Sequence, residues 1–459
     1  MSQAIVPIDF RSNAATAVQD SLLRAALRNA ADTFATKRAQ AVASVPLDEL
    51  REAASSIRAE VLSNLSSYLD RFIERASRAG AQVHRAADSA AARETIFSIL
   101  EQHRVDKVVK SKSMVSEEIH LNDYLIANGI RVVETDLGEY IIQLASEHPS
   151  HIIVPAIHKD RRQVGKLFAE KLGCEYSDDP ARLTKVAQQT LRREFLSASA
   201  GISGANFAVA ESGSVVLFTN EGNGRMCTTL PRLHIVVLSI EKIIPSLADL
   251  PTFIRLLPRS ATGQAITSYL SVITGPRKPG DRTGAEELHI VFVDNGRSSI
   301  VTGEYRDMLK CIRCGACLNA CPVYRTVGGH AYGSTYPGPM GIILTVLLEG
   351  MPKAHPLLDA TTLCGACGDV CPVKVPLPEL LRRLRERRVE ESFTPTIERA
   401  GIAAFGRAAS FGGLFALGQS TARVLWPLMQ KFIDPQTLGR LPKPAERSFH
   451  RRIIGVKIS

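Results

Sequence analysis

Seven of the nine cysteines lie between Cys311 and Cys371, in two related runs. Cys311, Cys314, Cys317 and Cys321 followed by Pro322 form C-x2-C-x2-C-x3-C-P. Cys364, Cys367 and Cys371 followed by Pro372 form C-x2-C-x3-C-P. Only Cys174 and Cys227 lie elsewhere, and an odd, clustered set argues for a metal centre in a reducing compartment rather than a disulfide framework. The first run has the spacing of a bacterial-type cubane site. Three thiolates three residues apart on a Gly-containing loop wrap three corners of one cluster, while the fourth, carried off by the x3 step and the proline turn, serves the other. Cys311, Cys314, Cys317 and Cys371 are therefore the expected ligands of one [4Fe–4S] cluster, and Cys321, Cys364 and Cys367 those of a second. Zinc usually takes two pairs of ligands per ion with little overlap, so the interleaving favours iron–sulfur. Thr361 stands where the second run would need its first cysteine. That site is expected to be a [3Fe–4S] centre, or a cubane whose last iron takes water, His330, His355, Cys174, Cys227 or a residue of a partner.

The length of 459 residues suggests roughly three folded units. With 45% apolar and 22% charged residues, wholesale disorder is excluded. Residues 1–79 read as a helical lead-in, with Leu47, Leu50, Ala54, Ile57, Val61, Leu65, Leu69, Phe72 and Ile73 at helical spacing and Gly80 as the stop. Over 80–303, short β-rich runs such as AQVHRA, VDKVVKS, IRVVET and HIIVPA alternate with helices at 88–103, 119–128 and 138–146. A further helical stretch covers 160–200, and 202–303 is mostly strand-like. This alternation predicts a parallel, helix-covered sheet in an α/β domain. Residues 304–385 form the cysteine domain, and 386–459 a basic helical segment. Residues 381–459 hold fifteen Lys/Arg against six Asp/Glu, nearly the whole net charge of +10. In RRLRERR (382–388) arginines alternate with Leu384 after Leu380 and Leu381, as on an amphipathic helix. Its charged face suits solvent, an acidic partner or an anionic lipid surface; no aromatic-interleaved basic motif points to nucleic acid. The start, MSQAIVPIDF, is too short and too soon interrupted for a signal sequence, and 400–418 reads as a buried or surface helix pair. A cytoplasmic protein, peripheral to the membrane at most, is the expectation.

The Gly-rich stretches GISGAN and NEGNGRM could place backbone N–H groups around an anion, with Asn206, Glu211, Asn220, Glu221 and Arg225 lining a cleft; turn chemistry accounts for these glycines equally well. Neither a P-loop nor a complete G-x-G-x-x-G run is present. His148, His151 and His158 read as solvated or capping histidines, and Glu117 and Glu118, near Lys112, as a solvated face.

Several long motifs, in order, resemble the B-type iron–sulfur protein family of bacterial lactate-utilisation systems. They are VVETDLGEYIIQLA (132–145), SGANFAVAESGSVVLFTNEGNGRM (203–226), EKIIPSL (241–247), LLPRSATGQ (256–264), TGPR (274–277), DNGRS (294–298), CIRCGACLNACPVYRTVGGHAYGSTYPGPMG (311–341) and LCGACGDVCPV (363–373). The resemblance implies a LUD domain of the NagB/RpiA/CoA-transferase-like group, followed by an α-helical ferredoxin-type domain with two clusters and a three-cysteine second site. It also implies an electron-transfer subunit in the oxidation of L-lactate to pyruvate, acting with an A-type heterodisulfide-reductase-like protein and a C-type LUD protein. Electrons would leave for the respiratory chain. The residues alone leave two alternatives: a stand-alone hydroxy-acid enzyme using the open iron, or a redox-sensing scaffold.

Overall fold

The computed structural model describes residues 6–429 and Ala445. Residues up to Glu386 form one compact unit, and those from Arg387 a second.

Four helices open the first unit, Phe10–Gln19, Ser21–Ala43, Leu47–Ser63 and Leu65–Arg78, and Gly80 ends the last with φ +97°. Ten strands follow: Gln82–Ala86 (β1), Lys107–Lys110 (β2), Arg131–Glu134 (β3), Ala200–Ser203 (β4), Phe207–Val209 (β5), Ser214–Thr219 (β6), Leu233–Ser239 (β7), Ile243–Ile244 (β8), Tyr269–Ile273 (β9) and Glu287–Val293 (β10). Six make an all-parallel sheet in the order β1-β10-β7-β4-β2-β3. A parallel sheet buries both faces, which is why β7 reads LHIVVLS, apolar without alternation. Ile235 and Val237 pack with Ile96 and Leu100 of helix Ser89–Gln102, while Val236 and Leu238 face Leu69 and Phe72 on the opposite side. Gly201 of β4 is required by close packing, since a Cβ there would lie 1.9 Å from the Cys227 carbonyl oxygen.

The chain forms an α/β body followed by a helical cysteine-bearing region, the fold class expected. Three local readings are corrected. Segment 151–156 is a run of turns rather than a strand. His151 Nδ1 accepts the N–H groups of Ile153 (2.9 Å) and Val154 (3.1 Å), taking donors that a sheet would have used. The helix expected at 119–128 is two, Met114–Glu118 and Leu121–Ala127, parted at His120, whose φ is +49°. A second sheet, β8-β5-β6-β9, was not foreseen; β5 and β6 form a hairpin over the main sheet's core.

The lead-in helices reach both the α/β body and the cysteine region. Arg58, fully buried, donates to the carbonyls of Ile243 (2.7 Å), Leu309 (2.8 Å), Lys310 (3.3 Å) and Glu241. Arg51 holds the Cys371 carbonyl at 3.0 Å and Arg38 that of Val370 at 3.2 Å.

In the second unit, helices Thr396–Ser410 and Gly412–Met429 expose Ile402, Phe405, Leu417 and Val424, and Phe411 is exposed at their joint. Among the described residues no single helix is long and apolar enough to cross a membrane, and this pair bends by 115° at its joint. The basic segment beyond 429, Ala445 apart, and residues 1–5 of the amino-terminal stretch read above as no signal sequence lie outside the described residues.

Candidate iron–sulfur site

The cysteine region is an internal echo in backbone as well as sequence. Arg313 (φ +59°) and Leu363 (φ +54°) precede Cys314 and Cys364, and Gly315 (φ +77°) and Gly365 (φ +90°) follow them. The left-handed region is costly for Arg and Leu and open to Gly, so each loop is curled by one strained residue and one glycine on either side of its cysteine. A short helix follows each loop, Ala316–Ala320 and Ala366–Asp369.

The seven cysteines gather into two small cavities. Cys311, Cys314, Cys317 and Cys371 line the first; Cys321, Cys364 and Cys367 line the second. Cys371 thus sits with the earlier run and Cys321 with the later one. In the first cavity Cys314, Cys317 and Cys371 are buried; in the second Cys364 is exposed. Backbone N–H groups reach the sulfurs, Arg313 to Cys311 at 3.4 Å and Val375 to Cys371 at 3.2 Å. Burial pushes the Cys317 thiol well up and the Cys371 thiol to about 11, so a thiolate there requires a bound cation to compensate it. Four soft sulfur donors with N–H support fit an iron–sulfur cluster.

Thr361 occupies the position in the second loop that Cys311 holds in the first. Its Oγ1 accepts the Leu363 N–H at 3.1 Å, as Cys311 Sγ accepts that of Arg313, and Thr361 lines the second cavity with Thr362. His330, His355, Cys174 and Cys227 do not line it. Cys227 is buried in the α/β core against the Thr135 hydroxyl at 3.3 Å.

A buried charge network stands behind the first cavity. Arg313 Nη2 pairs with Glu241 Oε1 at 3.1 Å, Arg297 Nε with Glu241 Oε2 at 3.0 Å, and Arg297 Nη2 with Glu118 Oε2 at 2.6 Å, where Tyr336 also donates at 2.6 Å. Arg58, Lys242 and Arg313 interact with Cys311, and Arg38 with Cys314 and Cys371. Positive charge there favours a cluster's reduced state. The second cavity's Cys364 feels Asp369 instead.

Burial opposes ionisation of Glu241, but Arg297 and Arg313 outweigh it and hold its pKa at about 2, below the ordinary 4.5. A depressed carboxyl stabilises the fold above its unfolded pKa and loses that contribution as pH falls through its folded one. The wild type is expected to lose about 3 kcal/mol through this group between pH 5.5 and 2. Denaturant titrations followed by far-UV circular dichroism should show a shallower acid decline in Glu241→Gln.

Glu117 and Glu118 are not a solvated face. Their short helix packs on β7, so the Glu118 side chain, 6% exposed, lies on Arg297 and Asn295, and Glu117 meets buried Lys110 at 3.0 Å. Lys110 also pairs with Glu134 at 2.6 Å, and burial pushes the nearby Glu139 carboxyl up to about 8. Glu117, Glu134 and Glu139 line a cavity of about 810 Å³ that sequence reasoning missed, because its walls come from distant segments.

The five residues assigned to a possible anion cleft are held as follows. Asn206 Oδ1 accepts the Phe218 N–H (2.9 Å), Glu211 Oε2 the Leu247 N–H (3.1 Å), and Asn220 Oδ1 the Ser268 N–H (3.1 Å). Glu221 Oε2 accepts the Asn220 N–H (3.3 Å), and the Arg225 carbonyl accepts from Thr228 and Thr229. None of the five lines the cavities described above. His151 is buried against Asn319 Oδ1 at 3.2 Å, and burial lowers its pKa to about 3.

An α/β body carrying a ferredoxin-type, cysteine-lined region places the chain among iron–sulfur proteins. The LUD domain family matches residues 69–293, and the 4Fe-4S dicluster domain family residues 307–375. A lactate utilization protein B from Shouchella clausii is 43% identical over 98% of this chain and 97% of its own, and that of Bacillus subtilis 42% over 95% and 91%. A protein of Escherichia coli described as an uncharacterized electron transport protein, YkgF, is 46% identical over 89% of this chain and 86% of its own. This chain belongs to the lactate utilization protein B family.

Proposed function

We propose that this chain is the electron-transfer subunit of an L-lactate-oxidising assembly, relaying single electrons through two clusters. The observation that carries this reading is the exchange of Cys321 and Cys371 between the cavities, which joins both sites in one rigid framework. Cys311, Cys314, Cys317 and Cys371 would hold a [4Fe–4S] cluster, and Cys321, Cys364 and Cys367 a second. Bound clusters supply one-electron chemistry. The protein's part is to exclude water from the first site, aim N–H groups at its sulfurs and surround it with buried cations, while leaving the second site near the surface for a partner.

Thr361 lines the second cavity at the position where a fourth cysteine would stand. Thr361→Cys would complete the ligand set. On brief air exposure the wild type is expected to lose roughly one iron per protein, with a three-iron paramagnetic signal appearing, whereas the variant keeps its iron. Equal loss from both would remove Thr361 from the site.

Lactate is oxidised, on this reading, with an A-type heterodisulfide-reductase-like protein and a C-type LUD protein, and electrons leave for a respiratory acceptor. The work takes place in the cytoplasm, at the inner membrane face at most, without nucleic acid. Adding L-lactate anaerobically to the isolated protein and then to the mixture with its partners tests it, with cluster bleaching as readout. Reduction in the mixture alone supports the relay. Reduction of the isolated protein makes it an enzyme in its own right, and reduction in neither counts against both readings.

A further inference from the structure

Outside both cysteine cavities, Glu147, His158 and His330 each bring a ligand atom within 4.8 Å of the other two. Glu147 follows helix Leu137–Ala145, His158 lies in the turns beyond it, and His330 opens the single turn His330–Tyr332 of the cysteine region. Neither local sequence shows the set, because the third member comes from far along the chain.

The ring nitrogens are arranged for coordination. His330 Nε2 donates to the His148 carbonyl at 2.7 Å, which leaves Nδ1 with a free lone pair. A carbonyl on the far nitrogen is the usual way of orienting a metal-binding imidazole. His158 has Nε2 2.7 Å from Glu147 Oε2, while its buried Nδ1 has no hydrogen-bond partner. The two imidazole rings stand 4.5 Å apart at 64°. Lys159 takes the other carboxylate oxygen, Glu147 Oε1, at 2.6 Å and leaves Oε2 on the histidine side. Glu147 and His330 also line the cavity of about 810 Å³, where Ser146, Ser334 and Thr335 add polar groups. Two imidazoles and one carboxylate beside open space are a donor set for zinc or ferrous iron with coordination positions left over.

We propose that Glu147, His158 and His330 bind one divalent transition-metal ion, apart from the thiolate sites, with its open positions toward the cavity. The inference does not depend on the electron-transfer reading.

The test uses the anaerobic, cluster-loaded full chain, stripped of loose metal and dialysed against micromolar Zn²⁺, with zinc, iron and sulfide measured together. The wild type should retain one zinc equivalent above its iron. Glu147→Gln and His330→Ala should bind zinc at least tenfold more weakly with iron and sulfide unchanged, and unchanged cluster content certifies that each variant is folded. His148→Ala keeps the orienting carbonyl and should bind as the wild type does. Zinc retained equally by His330→Ala and Glu147→Gln would place the ion on thiolates or elsewhere and overturn the proposal. So would a wild type that retains none.

Discussion

Cys371→Ser is expected to remove the buried cluster and leave the exposed one, so that roughly half the iron is lost. By sequence position Cys371 belongs to the run containing Cys364 and Cys367; in space it lines the cavity of Cys311, Cys314 and Cys317. Serine preserves the shape of the side chain but is a poor ligand to iron. Double variants make the assignment unambiguous. Adding Cys314→Ser to Cys371→Ser should cost no further iron, since both act on one site, whereas adding Cys364→Ser should remove what remains. Cys321→Ser should show the mirror pattern. Iron and sulfide analysis with paramagnetic resonance of the dithionite-reduced protein reads the result, and the opposite pairing would refute the exchange.

Arg297→Gln should cost about 3–5 kcal/mol of stability, the usual penalty for leaving buried carboxylates without their partner. Arg297 is wholly buried, grips both oxygens of Glu118 at 2.8 and 2.6 Å, and touches Glu241 at 3.0 Å. Glutamine supplies no charge and too few donors for this arrangement, leaving Glu118 with Tyr336 and Asn295 alone. Arg297→Lys should recover little, because a point charge cannot replace the planar fork. Denaturant midpoints of the cluster-loaded proteins decide it, and a loss below about 1 kcal/mol would show the network to be energetically neutral.

The parts of this fold that were legible in the sequence are those in which one local pattern dictates one outcome. The alternation of β-rich and helical runs announced a parallel, helix-covered sheet, and cysteine spacing on Gly-containing sequence announced the tight loops at Gly315 and Gly365. What stayed hidden depended on partners distant in the chain. HIIVPA has strand composition, yet the ring of His151 claims its backbone donors. Glu118 looks like an exposed helical acid until Arg297 arrives from beyond β10. Glu147 and His158 look like a surface pair until His330 joins them. Periodicity carries no information about such long-range pairs, which only the completed packing brings together.

The grip of Arg38, Arg51 and Arg58 on carbonyls at Val370, Cys371, Leu309 and Lys310 has a consequence for biogenesis. The helices translated first find their final neighbours only when nearly the last of this unit has left the ribosome. All seven clustered thiols have therefore emerged before Arg38 and Arg51 can reach the carbonyls of Val370 and Cys371 beside them.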